Sequence, residues 1–107
     1  MTETFDKSKL FEERLDQHEI TVEGLGTFKI RSLSRWQALL VGDVEGTPAK
    51  EAKILRFGIV EPSLTEQEIA RWQKASPAGE IEEITEAITK LSGMQEGAEK
   101  AEVERFP

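Results

Sequence analysis

Apolar residues change their spacing along this chain, and the change divides it. From Ile20 to Arg31 they alternate: Ile20, Val22, Phe28 and Ile30 are interleaved with Thr21, Glu23, Thr27, Lys29 and Arg31. A period of two is the signature of a strand with one buried face. Gly24-Leu25-Gly26 lies between the two runs, so residues 19–32 are predicted to form a β-hairpin. An isolated hairpin is marginal in water, so its apolar face must close over the rest of the chain or pair with something else.

From Ser34 onward the spacing is helical. Ser34-Arg35-Trp36-Gln37 matches a capping box and is followed by Ala38, Leu39, Leu40 and Val41, which predicts a helix over residues 35–44. Three short helices are then predicted over residues 47–93. Thr47-Pro48 opens the first, with threonine as the cap and proline in the first turn, and Val60-Glu61-Pro62 closes it. Thr65 and Glu68 form a second capping box, followed by Ile69 and Trp72 at helical spacing. Ser76-Pro77 ends the second helix and opens the third, and Ser92-Gly93 closes the third, glycine being the usual residue for a left-handed helix end.

The faces of these helices point to a core. Leu55, Gly58 and Ile59 share a face with Ala52. Ile81, Ile84, Ile88 and Leu91 follow one another at steps of three, four and three, while Glu80, Glu82, Glu83, Glu86 and Lys90 occupy the other faces. Leu39, Leu40, Leu55, Ile59, Ile69, Ile84, Ile88 and Leu91 are the expected buried set. The fold class is therefore α+β, mostly α: an N-terminal β-hairpin followed by a small bundle of about four helices. Residues 1–17 are expected to be a loose segment, with a helical turn or two within 8–16 from Leu10, Phe11, Arg14 and Leu15. Residues 18–93 form the domain, and residues 94–107 an acidic, flexible tail with transient helix around 98–105.

Composition narrows the function more than it names one. A chain of 107 residues is one domain, alone or with tails, and 37% hydrophobic against 33% charged residues leaves only a thin core, which implies modest stability or reliance on a partner. The formal net charge of −7 argues against nucleic acid, whose phosphates need a basic face, and against docking on an anionic membrane. Cysteine is absent, which removes disulfides, thiol catalysis and zinc–cysteine sites. The opening Met-Thr-Glu-Thr-Phe-Asp lacks the basic start and apolar run of a signal peptide, and no apolar run approaches the roughly 20 residues of a membrane span.

Candidate chemistry is sparse. His18 is the only histidine, with Asp16 and Glu19 as its acidic neighbours, and its place beside a strand reads as a surface position. Glu80, Glu82, Glu83 and Glu86 read as a solvated helix face rather than as an acid–base pair. Gly24 and Gly26 belong to a hairpin loop and not to a phosphate cradle, and no serine has a Gly-x-Ser-x-Gly setting. No catalytic, cofactor or metal residue is assigned, and the chain reads as a non-enzyme. The aromatic and arginine positions Trp36, Arg56, Phe57 and Trp72 are the candidate partner-binding residues, because tryptophan and arginine are enriched at interface hot spots. Core packing is the plainer reading for Phe57 and Trp72; the sharper one is an amphipathic partner helix docked in a helical groove beside Trp72, with the hairpin's free edge as the second route for an extended partner segment.

Residues 52–62 (Ala-Lys-Ile-Leu-Arg-Phe-Gly-Ile-Val-Glu-Pro), Leu64-Thr65-Glu66-Gln67-Glu68-Ile69, and a last helix from Gly79 closed by Leu91-Ser92-Gly93 resemble the tail assembly chaperones of long-tailed bacteriophages. In that family a helix ends in a short apolar–acidic segment, a Leu-Thr-Glu-type cap starts the next helix, and a last helix ends near Leu-x-Gly. The hairpin over residues 22–33, followed by Ser34-Arg35 and a helix, is similar to the family's front end, so the likeness spans residues 20–93. It implies a protein of the host cytoplasm that binds the tape-measure protein during tail assembly, with the tail tube protein as a second candidate partner, and that is absent from the mature virion. It also implies, in many members, a second, longer form made by ribosomal frameshifting; self-association is a further candidate contact, with the oligomeric state left open between monomer and loose oligomer. It carries no catalytic residues and no fixed partner-binding motif. The alternatives are a structural virion protein, such as a head-completion or tail-terminator subunit, and a small enzyme or metal-binding regulator.

Overall fold

The structure, a computed structural model, describes residues 6–94. The expected acidic tail beyond Met94 lies outside the described residues. The described chain begins with a short 3-10 helix, Lys7–Phe11, where the Asp6 carboxylate accepts the Ser8 N–H and no residue is buried. A helical turn or two was expected within residues 8–16; this element supplies it one residue early, Arg14 and Leu15 lie beyond its end, and Leu10 and Phe11 are largely exposed.

The hairpin forms as its alternation requires. Strands β1 (Gln17–Val22) and β2 (Gly26–Arg31) pair antiparallel, with Ile20 opposite Phe28 and His18 opposite Ile30. Val22, Phe28 and Ile30 are buried and Ile20 is half-buried, while Glu19, Thr21 and Thr27 stay in water. A third strand, β3 (Ile59–Glu61), adds to β2 and completes a sheet of order β1-β2-β3. The register of Lys29 opposite Glu61 and Ile30 opposite Ile59 leaves Val60 as an extra residue, a bulge on this edge. Residues 59–61 were expected to finish a helix. The helix stops at Gly58 instead, and Ile59 turns to extended backbone while its N–H still donates to the Leu55 carbonyl. Ile59 keeps its place in the core, but as a strand residue.

Four helices complete the fold: α1 (Arg35–Asp43), α2 (Thr47–Gly58), α3 (Glu66–Ala75) and α4 (Ala78–Leu91). Both capping boxes form. Ser34 and Thr65 accept the N–H of Gln37 and Glu68 at 3.1 Å, and those side chains accept the cap N–H groups in return. The hydrogen bonds from Thr65, backbone first, hold the Glu68 carboxyl below its usual range. Its contribution to stability is therefore full at neutral pH and fades as the pH falls through that lowered value. The two proline starts differ from expectation. Gly46, not Thr47, is the cap residue of α2, and Pro77, not Ser76, precedes α4; neither start has a side-chain cap bond. Ser76 is already committed to closing α3, with its N–H on the Trp72 carbonyl at 2.9 Å. Gly93 has φ of 70° and closes α4 as expected: its N–H reaches Lys90 and the Met94 N–H reaches Thr89, the paired bonds of a Schellman end.

The core lies between the inner face of the sheet and α2, α3 and α4. α4 crosses β1 and β2, and α2 packs on α1, α3 and α4. Leu55, Ile69, Ile84 and Ile88 are fully sealed from solvent, with Ile30, Val22, Phe28, Leu33, Val41, Ile59 and Ile81 around them. Of the expected set, Leu40 and Leu91 are only half-buried, and Leu39 is 50% exposed. The reason for Leu39 is rotational. Leu33 is buried and its N–H donates to the Ser92 hydroxyl at 2.7 Å, which in turn donates to the Ile88 carbonyl at 2.7 Å. That anchor and the Ser34 cap fix the rotation of α1, directing Val41 inward and Leu39 outward.

Candidate partner interface

The four candidate residues separate into two environments. Trp72 belongs to the interior side of the fold. Its ring stacks on Phe28 with centroids 5.6 Å apart and planes 5° from parallel, and its indole N–H donates to the Glu80 carboxylate at 2.8 Å. These contacts join α3, β2 and the first turn of α4. Phe57 is half-buried beside the core, with the Lys53 ammonium 5.7 Å from its ring centre and its carbonyl accepting the Arg31 Nε–H at 3.2 Å. Arg56 is exposed in the last turn of α2, where a cation complements the negative end of the helix.

Trp36 is 69% exposed, and Leu39, one turn further along α1, projects with it. Leu39 was missed as a surface residue because the run Ala38-Leu39-Leu40-Val41 is apolar all round and has no period to show which side faces water. The two tryptophans do not form one patch. Trp72 is tied to Glu80 near the start of α4, whereas the chain entering α1 is tied to Ser92 at its end. A helix of 14 residues is about 20 Å long, so Trp72 and the segment that leads into α1 sit toward opposite ends of it.

Because Trp72 is engaged internally, its removal should cost stability. Trp72→Ala is expected to lower the unfolding free energy by about 2–4 kcal/mol, somewhat under the range for a fully sealed tryptophan. Trp72→Phe, which keeps an aromatic ring for Phe28 and loses the bond to Glu80, should cost about 1 kcal/mol. Urea denaturation of the two variants checks this, and a Trp72→Ala protein with the parent midpoint would show that the stack adds nothing.

Shallow clefts flank the helices. One of about 230 Å³ lies between Lys50 and Ile54 of α2 and Thr85 and Thr89 of α4. A second, about 180 Å³, lies under Val44, Ala49 and Ala52, beside the 3.4 Å ion pair of Lys53 with Glu66. A third, about 220 Å³, opens between β1 and α4. Trp36, Arg56, Phe57 and Trp72 line none of these three. Among the described residues no three His, Asp or Glu side chains gather as they would around a metal ion, and no helix is long and apolar enough to cross a membrane. No protein-family model, curated protein or solved structure matches the chain.

Proposed function

We infer that this chain is a phage tail assembly chaperone, which binds the tape-measure protein in the host cytoplasm, keeps it soluble while the tail is built, and leaves before the virion is complete. The resemblance over residues 20–93 supplies the family, and the observation that supports a binding role is the apolar strip on α1. A chain with a thin core has little reason to leave Trp36 and Leu39 in water on one helix face unless something else covers them. A tape-measure chain is long and mostly helical, and its apolar faces invite aggregation until polymerised tube encloses them. The α1 strip suits an amphipathic helix laid against it, with Trp36 as the anchor. The net charge of −7 keeps the loaded complex soluble and favours basic partner segments, so binding weakens as salt rises.

Two measurements test this reading. Trp36→Ser combined with Leu39→Ser changes exposed positions, so the fold should lose no more than about 0.5 kcal/mol per site. Recovery of the tape-measure protein in a pull-down should nevertheless fall about tenfold. A folded double variant that retains its partner contradicts the α1 assignment. Mass spectrometry of purified virions should find the chain absent, and stoichiometric presence would favour a structural subunit instead.

A further inference from the structure

We propose that the free edge of β1 binds an extended peptide strand of alternating basic and apolar residues, one apolar side chain of which enters the cleft between β1 and α4. This surface is separate from the α1 strip, and its occupant is defined by that alternation of basic and apolar residues.

The phase of the β1–β2 ladder identifies the free groups. Asp16 and Ser32 stand opposite each other one step beyond the Gln17–Arg31 pair, and the Ser32 N–H donates to the Asp16 carbonyl at 2.9 Å. Hydrogen-bonded pairs alternate along an antiparallel ladder, so His18, Ile20 and Val22 direct their backbone groups at β2. Gln17, Glu19 and Thr21 direct theirs outward. The Thr21 and Thr27 hydroxyls, 2.9 Å apart, fit this phase, since side chains approach more closely at non-hydrogen-bonded pairs. Among the described residues, the outward N–H and C=O groups of Gln17, Glu19 and Thr21 have no backbone partner. Such an edge is a template for a further strand.

The cleft gives the edge a selective element. His18 and Ile20, with Ile30 behind them, face Ala87, Lys90 and Leu91 of α4 across about 220 Å³. Its floor is mainly aliphatic, so an added strand can drop an apolar side chain into it from an inward-facing position. This combination of main-chain pairing and an alternate-residue pocket is the mode of recognition by strand addition.

Charge on the outer face identifies the occupant. Glu61, Lys29 and Glu19 are directly opposite one another on successive strands, so the sign alternates across the sheet. Opposite charges across strands stabilise pairing and like charges oppose it. A fourth strand continues the series with Lys or Arg opposite Glu19. A second copy of this chain cannot supply that cation, because the outward residues of β1 are Gln17, Glu19 and Thr21, and both copies carry −7. The fitting segment is therefore basic at outward positions and apolar at inward ones.

The test titrates 15N-labelled protein with the peptide acetyl-(Lys-Val)3-amide, a block peptide of the same composition, and acetyl-(Glu-Val)3-amide. At saturation the alternating basic peptide should slow exchange of the Gln17, Glu19 and Thr21 amides by about tenfold or more, and leave those of His18 and Ile20 little changed. The block and acidic peptides should bind at least about fivefold more weakly. Glu19→Lys, an exposed change whose fold is checked by circular dichroism, should reverse the preference between basic and acidic peptides. The proposal is overturned if the three outward amides do not respond. It is equally overturned if composition matters and alternation does not, or if the same amides become protected with protein concentration alone. None of these outcomes depends on the tape-measure protein, so failure here is distinguishable from failure of the chaperone reading.

Discussion

Truncating Ile88 to alanine should lower the unfolding free energy by about 4 kcal/mol, toward the top of the range for a sealed aliphatic side chain. Ile88 is fully buried, and its branches lie against the backbone of α2 at Gly58. The neighbours that would have to collapse into the vacated space are held from both sides. The Ser92 hydroxyl bonds the Ile88 carbonyl and the Leu33 N–H together, and Arg31 is bonded to the Phe57 carbonyl beside Gly58. A cavity that cannot close keeps its full cost. Domains of this size have only about 5–15 kcal/mol in total, and a thin core puts this one at the low end, so the variant should be partly unfolded at 37 °C. In urea the midpoint should fall sharply with little change in slope. A midpoint equal to that of the parent would mean that the α4 stripe does not seal the core.

The same contact predicts the second large effect from the opposite direction. A Cβ placed on Gly58 would lie 2.6 Å from both Cδ1 and Cγ2 of Ile88 and 2.9 Å from its Cγ1, far inside van der Waals contact. Gly58→Ala should therefore cost about 2 kcal/mol by overpacking, after the small gain from alanine's better helix propensity. The two substitutions should also compensate each other. In the Gly58→Ala, Ile88→Ala double variant the new methyl enters the space that Ile88 vacated. Its loss of stability should be smaller than the sum of the two single losses by at least about 1 kcal/mol. Additivity would show that the two residues do not share one contact.

Much of this fold was legible because local signals agreed with one another. The alternation around Gly24 placed the hairpin, the Ser34 and Thr65 boxes placed the starts of α1 and α3, and the isoleucine stripe placed the buried face of α4. Legibility failed where a signal was too short or had no direction. Strand β3 is three residues long, and its Ile59 continues the helical spacing of Leu55 and Gly58, so nothing local separates it from the helix before it. Its partner on β2 is about thirty residues away in sequence. The prolines at 48 and 77 marked helix starts correctly within a residue or two, but not which neighbour acts as the cap. For the interface, the type of residue was legible and its environment was not. Trp36 and Trp72 are alike in sequence context, each within a short helix opened by a capping box. Only the packing of Phe28 and Glu80 around one, and the exposure of most of the other, distinguishes a structural ring from an available one. That the hairpin offers an edge for pairing was legible from its alternation, but that β1 is the strand left free was not, because it depends on β3 covering β2 in the sheet order.

The most direct measurement of the proposed role is the solubility of the tape-measure protein, expressed alone and together with this chain. Co-expression should move most of the tape-measure protein from the pellet to the soluble fraction and yield a complex that weakens with rising salt. The Trp36→Ser, Leu39→Ser variant should rescue far less than the parent while remaining folded. A tape-measure protein that is equally insoluble with and without this chain would contradict the chaperone function.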